Sequence, residues 1–497
     1  MLFKHYPFIL LIFAAMLVSL SLPLNLSAQV VETGSLLEFF AGTEQGCSYD
    51  NWISHTSEYD YFGSGDGSFT PAVLDRETNG FGSYQVVDDM NNPDLVLSEW
   101  AQIFDAFIQG DVSTTETRLS QSSFADFYEL VRLTDAGNVY LILREVLNNN
   151  YVDDNGTPGD ASDDVTGSFD YGWGLYVNKI SPAPANPEVI INLVHPNADY
   201  ISAYVGIDAY LTIDAGLFIV NGASRNIAWS GDLYATSNSL SDPSRNARTP
   251  FHECYKKFVD LIGDEWAIQV HSYNAYPAHD GVPSVQISAE RENYTAHPNA
   301  PYMSWDHTDI ISLTPDPVVT TNGSWSYPEV RIEDYYTASY PGGYRYNGYI
   351  PINNNVDLPG TSDNNQMVYV HASHDFVNDR ENWLHIEFDE YPDVVRLDGV
   401  SVEAFYGYTG PGSGVPTYAN YAEMVHYYRP VFQAVTDYMN FTPVQAGNIS
   451  ETASIQEFYH GNEGNCSYDN WVSHISEGVG DAGYNDEGPV ELDVQTE

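Results

Sequence analysis

The chain is poor in positive charge, in cysteine and in long apolar runs beyond its first residues. Seventeen Lys and Arg face 69 Asp and Glu across 497 residues, a formal charge of −52. Charge of that sign repels phosphate, which excludes a nucleic-acid binder. After the first 28 residues no stretch approaches the ~20 apolar residues that a membrane span needs, so no later span is expected. Cysteine occurs only at Cys47, Cys254 and Cys466, and an odd count in an exported chain calls for an explanation. Apolar residues, by contrast, make up 43% and aromatics 14%, with 38 tyrosines. That is far more buriable surface than disordered chains carry. The length allows one large domain plus a fragment, or two domains.

The beginning reads as an export signal: Lys4, an apolar run from Phe8 to Leu22, then Ser27-Ala28 before Gln29. Pro23 and the Ser-Ala step favour cleavage over an uncleaved anchor. Residues 1–28 are therefore expected to be removed, leaving a protein that is secreted, periplasmic or at the cell surface. The acidity fits a surface adapted to high salt, where ions screen self-repulsion, or a set of Ca²⁺ loops. The loop from Asp153 to Asp164 lacks EF-hand spacing and reads as a solvated loop.

One segment occurs twice. SLLEFFAGTEQGCSYDNWISHTSE, from Ser35 to Glu58, is answered by SIQEFYHGNEGNCSYDNWVSHISE, from Ser454 to Glu477. A repeat this long is no solenoid unit. The expectation is a complete domain over 29–448 and the truncated start of a second copy over 449–497. Cys466 is the counterpart of Cys47, so Cys254 is the available partner for a Cys47–Cys254 disulfide; three unpaired buried thiols are the alternative. Within the repeat, Tyr49, Trp52 and Ile53 read as core anchors, which makes His55 structural.

Short apolar and aromatic runs from Phe127 to Lys179 predict an antiparallel meander. From Glu188 to Ser288 strands and helices alternate, the pattern of α/β units with parallel pairing. Gly216 is expected to cap the helix after Asp199. MVYVHASHD and NWLHIEFDEY read as further strands, and ANYAEMVHYYRPVFQAVTDYM as a last helix interrupted at Pro430. The fold class is α/β, with a mixed, mainly parallel central sheet flanked by helices and an N-terminal antiparallel meander.

The chemistry gathers where apolar strands end in polar residues. EVIINLV stops at His195, with Asp199 four residues on, and AIQV stops at His271. Strand C-termini are where α/β folds place their sites. Imidazole and carboxylate are usual Zn²⁺ ligands, and catalytic sites take three from the protein, so His195, Asp199 and His271 are the candidate set. Glu387 is the candidate general base; Asp389 and Glu390 are nearby alternatives. His385 is read as lying beside Glu387 on the opposite strand face. Arg225, Arg245 and Arg248 stand in one loop of a cation-poor chain, suited to a substrate carboxylate or to pairing with acids such as Asp232 and Asp242.

This order of residues resembles the zinc carboxypeptidase (M14-like) superfamily and the related N-formylglutamate amidohydrolases. The residues are a strand ending in His195 with a nearby carboxylate, an Asn221/Arg225/Asn226 loop, a strand ending in His271-Ser272-Tyr273, and Glu387 on a late strand. The resemblance spans roughly Glu188 to Glu390. It implies one Zn²⁺ held by His195, Asp199 and His271, Glu387 as base, and arginines such as Arg225 receiving the substrate carboxylate and the oxyanion. Where that family has His-x-x-Glu, this chain has His195-x-x-x-Asp199; His279 is an alternative ligand, and Asp208 is a poor one. The implied activity is hydrolysis of an amide or peptide bond in a peptide or acyl-amino-acid-like substrate. A non-catalytic tandem binding module of a surface or matrix is the competing expectation.

Overall fold

A computed structural model describes residues 29–42, 51–59, 80–153, most of 159–273, strands at 285–288, 330–333, 383–389, 455–460 and 471–475, and single positions between 364 and 439. Residues 1–28 and the second-copy cysteine Cys466 lie outside these, as do His279, Asn226, Asp232, Glu390 and the segment MVYVHASHD.

The expected meander is present. Strand β1 (Val30–Thr33) runs parallel to β2 (Tyr128–Asp135), which pairs antiparallel with β3 (Asn138–Glu145). The turn between them holds Ala136 and Gly137 at φ +47° and +94°, the left-handed values of a tight hairpin. Strand β4 (Leu175–Ser181) follows antiparallel to β3. The chain then enters its parallel part with β5 (Asn186–Leu193), β6 (Ala215–Val220) and β7 (Trp266–Tyr273). Three short strands complete the sheet: β8 (Val285–Ser288), β9 (Val330–Glu333) and β10 (Trp383–Asp389). The ten-stranded order is β1-β2-β3-β4-β6-β5-β7-β10-β8-β9. Parallel pairing holds through β6-β5-β7-β10, while β4 and β8 join antiparallel. The architecture is the expected mixed α/β sheet.

Both faces of the sheet are covered, so its central strands are apolar on both sides. Along β5, Val189, Ile191 and Leu193 pack into one core with helices α1 (Leu36–Ala41) and α4 (Ser202–Ile213). Buried helical residues Tyr428 and Phe432 of the late helix close over Phe388 on that face, with ring centroids 4.7 and 5.4 Å from it. Ile190 and Val194 enter the other core, against α2 (Pro93–Ile108) and α5 (Pro250–Ile262). Helix α2 buries Val96, Leu97, Trp100, Ile103, Phe104 and Phe107, a stripe at helical spacing. Pro93 starts it, where the missing N–H costs nothing. A second short helix, α3 (Val112–Gln121), is capped by Asp111, whose side chain accepts from Thr114 N.

Two expectations are revised. Helix α4 is capped by Asp214 at φ +56°, because Gly216 is already inside β6; a Cβ there would sit 2.3 Å from the Pro187 carbonyl oxygen. The Cys47–Cys254 disulfide is not formed: Cys254 is a free, fully buried thiol. It packs with the α2/α5 core, whereas Phe40, Ala41 and Trp52, which flank Cys47 in sequence, are buried on the opposite face of the sheet. Cys47 itself lies outside the described residues. The repeated segment differs between its copies. In the first it gives α1 and a 3-10 turn over Trp52–His55. In the second, Ile455–His460 and Trp471–Ile475 pair as a two-stranded antiparallel unit.

In the first copy Trp52 and Ile53 are buried core residues, as read, while Tyr49 lies outside the described residues. Trp52 is fully buried between Phe40 and Phe169, with centroids at 5.8 and 5.4 Å. His55 Nδ1 lies 2.8 Å from the Gly167 carbonyl oxygen.

Candidate metal centre

Strand β5 ends at Leu193, and two residues later His195 is buried at the C-terminal edge of the sheet. The chain turns at once: Asp199 N donates to His195 O at 3.1 Å and Ser202 N to Asp199 O at 3.0 Å. Ile201 N donates to the Ser272 hydroxyl at 3.3 Å, which fastens the turn to β7. The result is convergence on one oxygen. Asp199 Oδ2 lies 3.4 Å from His195 Nδ1 and 2.6 Å from His271 Nδ1.

These three side chains are buried, and their ligand atoms lie within 4.8 Å of one another. With zinc bonds of ~2.0–2.1 Å, two ligands of a tetrahedral site stand roughly 3.3 Å apart, close to the His195–Asp199 separation, while the 2.6 Å His271–Asp199 pair must open to admit an ion. His195 Nδ1 is buried, 3.4 Å from Asp199 Oδ2, and completes no aligned hydrogen bond. A buried imidazole nitrogen left so is costly unless something else takes its lone pair. The donor set and this nitrogen fit a metal ion.

The outer nitrogens also face acceptors. His195 Nε2 is 2.9 Å from Asp242 Oδ1 and His271 Nε2 is 3.0 Å from Gln269 Oε1. Asp242 is held by Ser244, whose N and Oγ donate to the same Oδ1 at 2.9 and 2.5 Å. The loop carrying it is pinned by Asn221, whose amide donates to the carbonyls of Val194, Ala223 and Ser241. One side chain thereby ties the end of β5, the end of β6 and the Asp242 loop together.

Strand β10 brings the fourth element. It runs parallel to β7 with Glu387 opposite His271 and His385 opposite Gln269. His385 shares a face with Glu387, contrary to expectation, because residues two apart on a strand point the same way. His385 Nε2 lies 3.2 Å from Glu387 Oε1. The His385 ring stacks on His271 at 4.3 Å and 6°. His271, His385 and Glu387 form a second buried group of ligand type.

The electrostatics follow from burial among opposite charges. Burial lowers the His195 pKa, but Asp242 and Asp199 outweigh it and the net shift is upward. Burial raises Asp199 and Asp242, and the histidines more than reverse it, with Arg245 helping at Asp242; both carboxyls are held well below their usual range. His271 moves down, through burial and the adjoining His385, against the pull of Asp199. Ionised carboxylates and a neutral His271 are the protonation states that a metal requires, whereas the upward shift at His195 means that a metal there must displace a proton.

The arginines divide. Arg248 gives its guanidinium to Asp88 and Asp94 at 2.5 and 2.7 Å on the surface, so its charge is matched there. Arg245 acts on Asp242 and its N–H donates to the Asp242 carbonyl at 3.0 Å. Arg225 is half-buried beyond β6, and its carbonyl accepts from Ser239 Oγ at 2.6 Å. Asp208, the poor alternative ligand, is paired by Arg429, Nε donating to Oδ2 at 3.0 Å. Asp242, Gln269 and His385 were not among the candidate site residues. The signal for Gln269 and His385 was the two-residue repeat that sets them beside His271 and Glu387.

No protein-family profile matches the chain, and neither does any curated protein. Two solved structures show a slight likeness. The N-formylglutamate amidohydrolase of Ralstonia eutropha JMP134 is 11% identical with a TM-score of 0.27, over 52% of this chain and 98% of that one. A carboxypeptidase A-like protein of Shewanella denitrificans OS-217 is 13% identical with a TM-score of 0.24, over 53% of this chain and 61% of that one. Likeness at this level carries no functional argument, which rests on the residues themselves.

Proposed function

We propose that the chain is an exported zinc-dependent hydrolase that cleaves an amide or peptide bond beside a substrate carboxylate. One observation carries the reading: His195 and His271, from the ends of two adjacent strands, turn their Nδ1 atoms toward a single oxygen of Asp199. These three residues would hold the metal. Zinc bound by them supplies Lewis acidity toward a carbonyl and acidifies water to a pKa of about 7.

The chain's own groups do the rest. Glu387, buried and opposite His271, takes a proton from water at a carboxylate oxygen and returns it to the leaving nitrogen. His385 Nε2 beside Oε1 holds that carboxylate in one orientation. Arg245 and Arg225, in the loops after β6, receive the substrate carboxylate or stabilise the oxyanion.

Elemental analysis of the purified protein tests the reading, alongside a His195→Ala, His271→Ala double variant and a screen of acyl-amino-acid and peptide substrates. About one zinc per chain, lost in the variant together with hydrolysis, is the expected result. No zinc in either protein, with folding unchanged, refutes the hydrolase and leaves the non-catalytic module.

A further inference from the structure

Behind the candidate ligands lies a buried amide network whose direction is fixed by the backbone. Asn192 Nδ2 donates to the Ile268 carbonyl at 3.0 Å, which turns Asn192 Oδ1 toward Gln269 Nε2, 2.8 Å away. Gln366 Nε2 donates to the Pro243 carbonyl at 3.2 Å, which turns Gln366 Oε1 toward the same Gln269 Nε2 at 3.5 Å. Asn364 Oδ1 accepts from Gln366 N at 3.1 Å, which leaves Asn364 Nδ2 to donate to Gln269 Oε1 at 2.5 Å. A carbonyl can only accept and a backbone N–H can only donate. Three independent backbone anchors therefore agree on how Gln269 is oriented, with Nε2 toward Asn192 and Gln366 and Oε1 toward His271 Nε2 at 3.0 Å.

We propose that Gln269 is a positioning residue that keeps the proton of His271 on Nε2 and so reserves Nδ1 for a cation. An amide oxygen accepts only, so the nitrogen facing it must carry hydrogen. Nδ1 then presents its lone pair to Asp199 Oδ2 at 2.6 Å. At that distance a proton bridges the two acceptors in the metal-free protein, and a metal ion that displaces it takes both lone pairs once they have moved apart. The amide network thus extends the outer shell of the centre from β7 to β5 and to the loop carbonyl beside Asp242. Its consequence for metal binding rests on the function proposed above, but the tautomer does not.

The test is imidazole NMR on the full chain labelled with ¹⁵N-histidine, metal-free and then with zinc added, with the His271 signals assigned by their loss in His271→Asn. Nε2 is expected to be protonated throughout, with Nδ1 the nitrogen that shifts on adding zinc. A metal-free His271 protonated on Nδ1 alone, or zinc shifting Nε2, overturns the proposal. Gln269→Leu should weaken zinc binding by about 10–100-fold and allow the Nδ1–H form; unchanged affinity and an unchanged spectrum also overturn it. If that variant does not fold, the wild-type spectra decide. A wild-type protein that takes no zinc yet holds Nε2–H refutes the metal reading and supports the assignment of Gln269.

Discussion

Replacing Asp242 with Asn should separate the orientation of His195 from the integrity of its loop. Asp242 Oδ1 is shared by three partners: Ser244 N, Ser244 Oγ and His195 Nε2, at 2.9, 2.5 and 2.9 Å. An asparagine retains an oxygen for Ser244, so the loop keeps its hydrogen bonds. What disappears is the negative charge behind the imidazole. Outer-shell carboxylates of this kind are worth about 10–100-fold in metal affinity, or about 1.4–2.7 kcal/mol. Zinc affinity, read by competition with a chromophoric chelator, should fall by that factor while the thermal midpoint of the metal-free protein stays within a few degrees. Unchanged affinity would refute the reasoning. It would mean that His195 is held without Asp242, or that no metal binds there.

Three further outcomes follow from buried groups elsewhere. Arg144, 2% exposed at its side chain, bridges Glu32 and Glu129 at 2.7 Å each; Arg144→Met removes the charge that both acids pair with and should cost about 3–5 kcal/mol in urea unfolding, and a loss below about 1 kcal/mol contradicts this. Glu145 is pushed up to about 8 by burial, against hydrogen bonds from Tyr171 and Gly172 N–H. Since its ordinary value is 4.5, its contribution is complete below that pH and is lost as pH rises through about 8. Unfolding midpoints across that range should decline in the wild type and flatten in Glu145→Gln. Cys254, fully buried with its thiol pushed well above its ordinary pKa by burial, should react with a thiol reagent only after unfolding; rapid labelling of the native protein at Cys254 would refute its placement.

The sequence carries the parallel half of the sheet plainly, because buried strands lack alternation and turn polar where they end. Val189 to Val194 is apolar except at Asn192, and that exception is hydrogen-bonded: Asn192 lies on the same face as Gln269 and His271 and anchors their amide network. The candidate ligands His195 and His271 are legible as strand-end histidines. Their outer partners are not, since Asp242 lies 47 residues beyond His195 in sequence and is brought to it by loop hydrogen bonds such as Asn221 to Ser241 and Ser241 to Ser224. Helix α2 was not among the expected elements, although Val96, Trp100, Ile103 and Phe107 form a stripe at helical spacing. The disulfide was inferred from counting, and counting does not reveal that the sheet separates the two cores. The repeated segment shows the limit of local pattern most directly. Nearly the same residues form α1 where Phe39 and Phe40 are buried, and paired strands in the second copy.

Charge gives an independent reason to expect a cation at the centre. Several acids elsewhere in the described residues are matched by Arg or Lys, Glu32 by Arg144, Asp208 by Arg429 and Asp214 by Lys179, while buried Glu145 is pushed up toward its protonated form instead. At the centre, Asp199, Asp242 and Glu387 face His195, His271 and His385, and Arg245 is the cation acting on Asp242. Neutral imidazoles donate hydrogen bonds but bring no charge, and an uncompensated buried carboxylate costs several kcal/mol. Protonating His195 offsets part of this. A divalent ion offsets more, at a point where three ligand atoms already converge. Binding to the folded form alone must then stabilise it, by about 2.7 kcal/mol when free zinc stands at 100 times Kd. The thermal midpoint should therefore rise with added zinc and fall with a chelator, and the same titration on His195→Ala should be flat. A midpoint indifferent to both zinc and chelator in the wild type would show that the carboxylates are satisfied by protons alone.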